Sequence, residues 1–297
     1  MNDAFDDNTR IWDKRIGVDS EQPDAHRLRL QKNALALVIN GDFGRRVLNQ
    51  LSELPMAKLT VLAMTDDDVA YLRSIRNQLT QRSHPPLISI VDQPFLPQEI
   101  SMMLARYRMV VMATGRPFPD VAADLNTVCV SNGIPWLQAH LWGVRLSIGP
   151  TVLPGTTACY ECYRRRLAAN SVQHDVDEGL NQFLIRDKAF AFSGQLGAIN
   201  TLSAAYVTAE VKRFLSAQYR PTTLSQEMTI IPLHQGASPV HHFVTPLEWC
   251  PVCWEKQCQR ATAVQETVRH TLKSVVARFA RPSPVAMPGL EVPHAIR

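Results

Sequence analysis

Apolar residues along this chain come in blocks whose period changes from strand-like to helix-like. Ala34-Leu35-Ala36-Leu37-Val38-Ile39 is a short continuous apolar run ending at the turn Asn40-Gly41-Asp42-Phe43-Gly44, and it predicts a strand over 33–39. Arg45–Leu54 then sets Val47, Leu48 and Leu51 at helical spacing and stops at Pro55. Lys58–Met64 reads as a second strand. Asp66-Asp67-Asp68 opens another helix, where acidic residues suit the positive end of the helix dipole. Leu87–Val91 and Met109–Ala113 are further strands, the latter apolar throughout as in a strand covered on both faces. Helices are predicted over Phe95–Ala105 and Asp120–Asn132, and Ile134–Leu137 starts the next strand. This alternation over 33–150 predicts a parallel, doubly wound sheet.

The pattern then changes. Trp142–Val152 reads as antiparallel strand material. Residues 170–193 are polar and weakly patterned, which predicts a mobile crossover loop. Gly194–Ala217 is a strong helix with Val207, Val211, Phe214 and Leu215 on one face, and 225–247 carries strands. A last helix over Gln259–Ala280 puts Val264, Val268, Leu272, Val275, Val276 and Phe279 on one face. Its other face carries Arg260, Arg269, Lys273 and Arg278. The organisation expected is an N-terminal opening segment (1–32), a main domain (33–258), a C-terminal helix (259–280) and a proline-bearing disordered tail (281–297).

Composition narrows the class. With 297 residues, 45% hydrophobic and 20% charged, the chain can bury a large core. A net charge of +4, from 31 Lys+Arg against 27 Asp+Glu, gives no basic surface of the kind nucleic acid requires. No apolar run approaches a membrane span, and the acidic start Met1–Asp7 does not resemble a signal peptide, so a cytoplasmic protein is expected.

Four of the six cysteines form two Cys-x-x-Cys pairs, Cys159/Cys162 and Cys250/Cys253. In a reducing compartment such pairs read first as a zinc site. Four thiolates fill a tetrahedral shell and leave no place for water, so the zinc would be structural, joining the end of the sheet to the C-terminal region. Cys129, between Val128 and Val130, fits the core. The turn after the first strand is a weaker motif. In a G-x-G-x-x-G frame it keeps Gly41 and Gly44 but has Ile39 in the first place, and Asp42 sits where phosphates would. A structural turn is the plainer reading. His241-His242 should point to opposite faces of a strand, and His140, near Trp136 and Trp142, either packs or lines a pocket. Arg164-Arg165-Arg166 is a solvated helix start or a patch for an acidic partner.

The run Ser131-Asn132-Gly133-Ile134-Pro135-Trp136, followed by Gly149-Pro150-x-x-x-Pro154-Gly155-x-x-x-Cys159-x-x-Cys162, resembles the ubiquitin-activating/ThiF superfamily. With the helix Leu196–Leu215, the closing Cys250-Pro251-x-Cys253 and the opening Ile11-Trp12-Asp13-Lys14-Arg15, it is similar to ThiF-like cyclodehydratase partner proteins of thiazole/oxazole-modified microcin pathways. The resemblance covers about residues 10–258 and implies a Rossmann-like, mostly parallel sheet. Adenylating members carry an Asp-Ala-Thr-Asp-Asn-like run where this chain has Met112-Ala113-Thr114-Gly115-Arg116, which lacks both acids. Asp66 is a displaced stand-in for the ribose-binding acid, and Arg15 is the only matching opening-segment arginine. Gly41, Gly44 and Asp66 would then be a vestigial nucleotide site, and ATP binding is not expected.

In that family such proteins bind a precursor peptide and dock a YcaO-type enzyme, which uses ATP to convert Ser, Thr or Cys to azolines. A flavin-dependent azoline dehydrogenase often joins the complex. The resemblance therefore implies a non-catalytic, zinc-binding scaffold role as a homodimer. The 32 residues before the first strand are too few for the family's winged-helix-like peptide-recognition domain, so another surface, another subunit or an atypical N-terminus would take that part. The alternative is an adenylyltransferase that activates a carboxylate with ATP. A third reading is a zinc-stabilised Rossmann-like binding protein of another pathway.

Overall fold

A computed structural model describes residues 28, 30–80, 86–91, 107–187, 190, 196–216, 227–233 and 238–279. The helix expected over Phe95–Ala105, Arg15 and the tail from Arg281 lie outside these residues. The described elements, in chain order, are β1 (Ala34–Asn40), α1 (Gly41–Leu51), β2 (Lys58–Ala63), α2 (Asp66–Thr80), β3 (Leu87–Val91), β4 (Met109–Thr114), α3 (Pro119–Ser131) and β5 (Trp136–Trp142). They continue with β6 (Arg145–Val152), α4 (Tyr160–Asn170), α5 (His174–Arg186), α6 (Gly197–Ser216), β7 (Glu227–Pro232), β8 (Val240–Phe243) and α7 (Trp254–Phe279).

The strands join in one sheet ordered β3-β2-β1-β4-β5-β6-β7-β8. The first five are parallel, and β6, β7 and β8 extend the sheet antiparallel. The parallel half is apolar on both faces because helices cover both. Leu35, Leu37 and Ile39 of β1 pack on one face with Val47, Leu48 and Leu51 of α1, Leu72 of α2, and Val207, Val211 and Phe214 of α6. Ala36 and Val38 turn to the other face, toward Leu125, Cys129 and Val130 of α3 and the four cysteines. An alternating strand pattern was never available here, since neither face meets water.

One glycine sets the spacing of α1 on the sheet. A Cβ at Gly44 would lie 2.6 Å from the Ala113 carbonyl oxygen and 2.9 Å from Ile39 Cβ. The helix therefore rests directly on the backbone of β1 and β4, as the third glycine of a nucleotide-type turn allows.

Trp142–Val152 is antiparallel strand material as expected: β6 pairs antiparallel with β5 through a hairpin turning at Gly143-Val144, with Gly143 at φ 60°. A glycine of positive φ in the first loop position suits a type II′ turn. Other expectations change. Residues 170–193 contain the helix α5, so the crossover is not a plain loop. Its acidic first turn (Asp175, Asp177) and Arg186 in its last turn match the helix dipole. Finally, the last helix begins at Trp254, five residues before the expected start.

The chain divides into two compact units, Met1–Gln257 and Cys258–Arg297, with the boundary inside α7. In the second unit Val264, Val268 and Leu272 are exposed. Among the described residues, no helix is long and apolar enough to cross a membrane.

Gly44→Ala should destabilise the fold by about 2 kcal/mol, because the new methyl meets backbone that cannot move aside. Gly179→Ala, in a helix with open space around it, should gain about 0.5–1 kcal/mol. Denaturant unfolding of the two variants checks the opposite signs.

Candidate metal centre and the sheet end

Cys159 stands at the N-cap of α4 and Cys162 lies in its first turn, while Cys250 and Cys253 precede α7. All four are buried, and their sulfurs lie within 4.8 Å of one another. The Sγ–Sγ separations are 3.8 Å for Cys159–Cys162, 3.7 Å for Cys159–Cys250 and 3.5 Å for Cys162–Cys253. A tetrahedron with metal–sulfur bonds of about 2.3 Å has edges near ~3.8 Å, so the donor set fits one thiolate-bound ion such as zinc. These four residues would hold it, and the ion would supply the charge that lets four thiolates share a dry interior.

The surrounding groups favour thiolates. The Leu247 N–H donates to Cys162 Sγ at 3.4 Å, and Gln257 Nε2 donates to Cys253 Sγ at 3.1 Å. Hydrogen bonds from Cys159 and Cys253 hold the Cys162 thiol far below its usual range, and the bond from Leu247 adds to them. Cys159, which donates to Cys162, is pushed up to about 12. Without a cation one sulfur can be ionised only at its neighbours' expense.

Longer-range contacts hold the two knuckles in register. Asn126 Oδ1 on α3 accepts from the Tyr160 N–H at 3.0 Å and from Trp136 Nε1 at 3.3 Å. Arg166 donates to the carbonyls of Thr245 (2.7 Å) and Pro246 (3.1 Å), tying α4 to the segment before the second pair. Arg164 and Arg165 both bind Glu161. The arginine run thus serves the fold at Arg166 and a local ion cluster at the other two. Arg164 and Arg165 share that one carboxylate and remain about half exposed.

A second place of interest is the C-terminal end of the parallel strands. Open α/β sheets bind ligands where strand order reverses, here between β1 and β4. The Gly41 N–H, at φ 69°, points to the Asp68 carboxylate (3.1 and 3.3 Å). The same carboxylate accepts from Arg45 (2.8 Å) and from Thr65 Oγ1 (2.8 Å), and it is 1% exposed. Asp42 is likewise engaged, by Asn200 Nδ2 at 2.6 Å and Arg46 at 3.5 Å. The amide and guanidinium that could meet a phosphate here thus already hold a protein carboxylate.

Asp66, the acid singled out from sequence, lies exposed on the first turn of α2 and is not brought to Gly41. Asp68 takes that position. Its signal was Thr65-x-x-Asp68, a capping-box spacing, and the Asp68 N–H does return to Thr65 Oγ1 at 3.3 Å. Gly41 opens α1 at positive φ and Gly44 lies in its first turn, so the helix starts four residues ahead of the expected Arg45.

At the end of β4, Arg116 is 2% exposed and stacks 3.9 Å over the Phe118 ring. It donates to the carbonyls of Pro117 (3.1 Å), Leu184 (3.0 Å) and Asp187 (3.0 Å), fastening the C-terminal end of α5 to the sheet end. Burial lowers its pKa against the pull of Asp120 and Asp187. Sequence reasoning named Arg116 only as the last residue of the run in which Met112 and Gly115 replace the two acids.

Cys129 is in the core, its thiol pushed up to about 12 by burial. His241 and His242 sit exposed on β8, with His241 Nδ1 3.0 Å from Thr229 Oγ1 and 3.2 Å from Glu227. His140 lines a cavity at the ends of β4 and β5, and burial pushes its pKa down to about 4.

By sequence, no family model and no curated protein matches the chain. By structure, it is similar to Escherichia coli MccB, with TM-score 0.62 and 16% identity over 78% of this chain and 68% of MccB. MccB is described as a microcin C7 biosynthetic enzyme. Its complex with ATP gives TM-score 0.59 and 18% identity over 78% and 69% of the two chains. The heterocyclase TruD gives TM-score 0.51 and 14% identity over 78% of this chain and 28% of TruD. At these identities the likeness establishes a shared fold. Since MccB binds ATP on that fold, the expectation that ATP is excluded here gains no support from the comparison.

Two outcomes follow from this geometry. Arg116→Met, which keeps bulk but removes three charged hydrogen bonds, should speed proteolytic cleavage within 174–186 by about tenfold. Limited proteolysis with mass spectrometry reads it. The second concerns His140, whose folded-state pKa lies below the unfolded value of about 6.5. The unfolded chain binds the extra proton between these values, so the neutral ring's contribution is complete above about pH 6.5. It is lost as pH falls toward 4. His140→Gln should flatten that limb of a stability–pH curve.

Proposed function

We propose that this chain is a non-catalytic, zinc-binding subunit that presents a ribosomal precursor peptide to a YcaO-type cyclodehydratase. The partner closes the side chain of Ser, Thr or Cys onto the preceding carbonyl, with loss of one water per azoline. The observation that carries this reading is an intact four-cysteine centre beside a βα turn whose N–H and arginine are held by Asp68. The fold shared with MccB and the heterocyclase TruD supports a place in ribosomal-peptide modification. A homodimer, the precursor peptide, the YcaO enzyme and a flavin-dependent azoline dehydrogenase make up the proposed assembly. The reducing cytoplasm, where four thiols persist unoxidised, is its proposed location.

The second reading is an adenylyltransferase that activates a carboxylate. The ATP complex of MccB favours it, because the same fold there accommodates the nucleotide. Against it stand Ile39, Met112 and Gly115 in motif positions, and the engagement of Asp68.

Reconstitution separates the two. With the cognate YcaO enzyme, ATP and the precursor peptide, azoline formation should require this chain, read as successive losses of water by mass spectrometry. Full heterocyclisation without the chain would overturn the scaffold. Peptide-dependent pyrophosphate exchange by the isolated chain would replace it with the second reading. Metal analysis of the purified chain should find one zinc, and its removal by a strong chelator should lower the unfolding temperature by more than about 10 °C.

A further inference from the structure

The ends of β4 and β5 enclose a cavity that neither the cysteine centre nor the β1–α1 turn uses. The register pairs Met112 with Gln138 and Thr114 with His140, and strand alternation puts all four on the face covered by α3 and α4. Together with Phe118 and Tyr160 they line a space of about 160 Å³. An apolar cavity of about that size holds a benzene ring. Here the wall is mixed, and its polar part is incomplete.

Gln138 is 6% exposed, and its Nε2 has no hydrogen-bond partner among the described residues. His140 is half-buried, its backbone is in the β5–β6 ladder and its ring borders the cavity. Buried polar groups are nearly always paired, so the orphaned Gln138 amide nitrogen on this wall calls for a ligand or for ordered water. Thr114 is already spent, donating to the Arg116 carbonyl at 2.7 Å.

The chemistry of the wall restricts what fits. Arg164 at the rim donates twice to Glu161 (2.8 and 2.9 Å), which keeps its guanidinium on its own helix. Burial keeps the His140 imidazole neutral near pH 7, so it offers one donor and one acceptor. The Gln138 amide also offers both. The polar groups on the strand wall are therefore uncharged, and a carboxamide or peptide group presents the complementary donor and acceptor. Phe118, Tyr160 and Met112 offer an apolar surface to the remainder of such a ligand.

We infer that this cavity is a binding site for a neutral carboxamide or peptide group carried on an apolar body about the size of a benzene ring. The inference concerns the isolated chain and does not depend on the YcaO assembly, so each can fail without the other.

Benzamide is the probe, titrated into the full zinc-loaded chain labelled for histidine-ring and methionine-methyl NMR. Saturable shifts of the His140 ring and Met112 methyl are expected, with benzoate and toluene each binding at least about tenfold more weakly. Gln138→Met, which keeps the side chain's length, should weaken benzamide by about tenfold, the loss expected for a buried hydrogen bond. No saturable shift at His140 and Met112 would overturn the inference and leave the space to water. Equal binding of toluene and benzamide would overturn it too, as would an unchanged affinity in a folded Gln138→Met. Should that variant not fold, the three-ligand comparison on the unsubstituted chain decides alone.

Discussion

Four thiols cannot sit within 4.8 Å of one another in a dry interior and all ionise unless a cation shares the site. Much of the second half of the molecule is arranged around that constraint. The sulfurs come from segments 91 residues apart, so α4, α5, α6, β7 and β8 are organised between two ends of one clasp. Supporting contacts do not touch the sulfurs alone. Asn126 fixes the start of α4 against α3 and β5, and Arg166 fixes α4 against the backbone before Cys250. The clasp is therefore continuous with the hydrophobic layer that also holds Cys129 and Trp136.

The other end of the architecture is the close approach of α1 to β1 and β4 at Gly44. This is the packing of a nucleotide-type βα unit. The Gly41 amide and Arg45 converge on a carboxylate from the protein's own chain, and Arg116 converges on backbone carbonyls of the crossover. Both cations are thus engaged inside the fold. A likeness of fold to MccB does not fix what these loops bind, because the sheet and its helices do not depend on it.

What was legible in the sequence follows from how local each signal is. β1 and β4 stand out because strands covered on both faces are unbroken apolar runs. The cysteine pairs stand out because each is a two-residue spacing on one knuckle. The contacts that support them join residues 34, 79 and 85 positions apart, and no spacing rule reveals those. α5 was hidden because only Leu184 of its apolar residues is buried, while Gly179 interrupts it. Asp66 and Asp68 are equivalent as letters. Helix phase alone turns one to water and the other beneath Gly41. The antiparallel turn of β6 was legible because Gly143 follows the apolar run of β5.

The separation of the two cysteine pairs also has a meaning in time. A ribosome adds roughly 5–20 residues per second, so the second pair leaves the ribosome some ~5–18 s after the first. The parallel half of the sheet, β1 to β5, is by then fully synthesised and able to pack. Cys159 and Cys162 must wait beside it with their ligand set half made. During that interval the thiols are open to oxidation or to capture by the wrong ion, and only the arrival of Cys250 and Cys253 ends the exposure. The order of elements along this chain thus makes the four-cysteine cluster one of the last parts of the sheet domain to be completed.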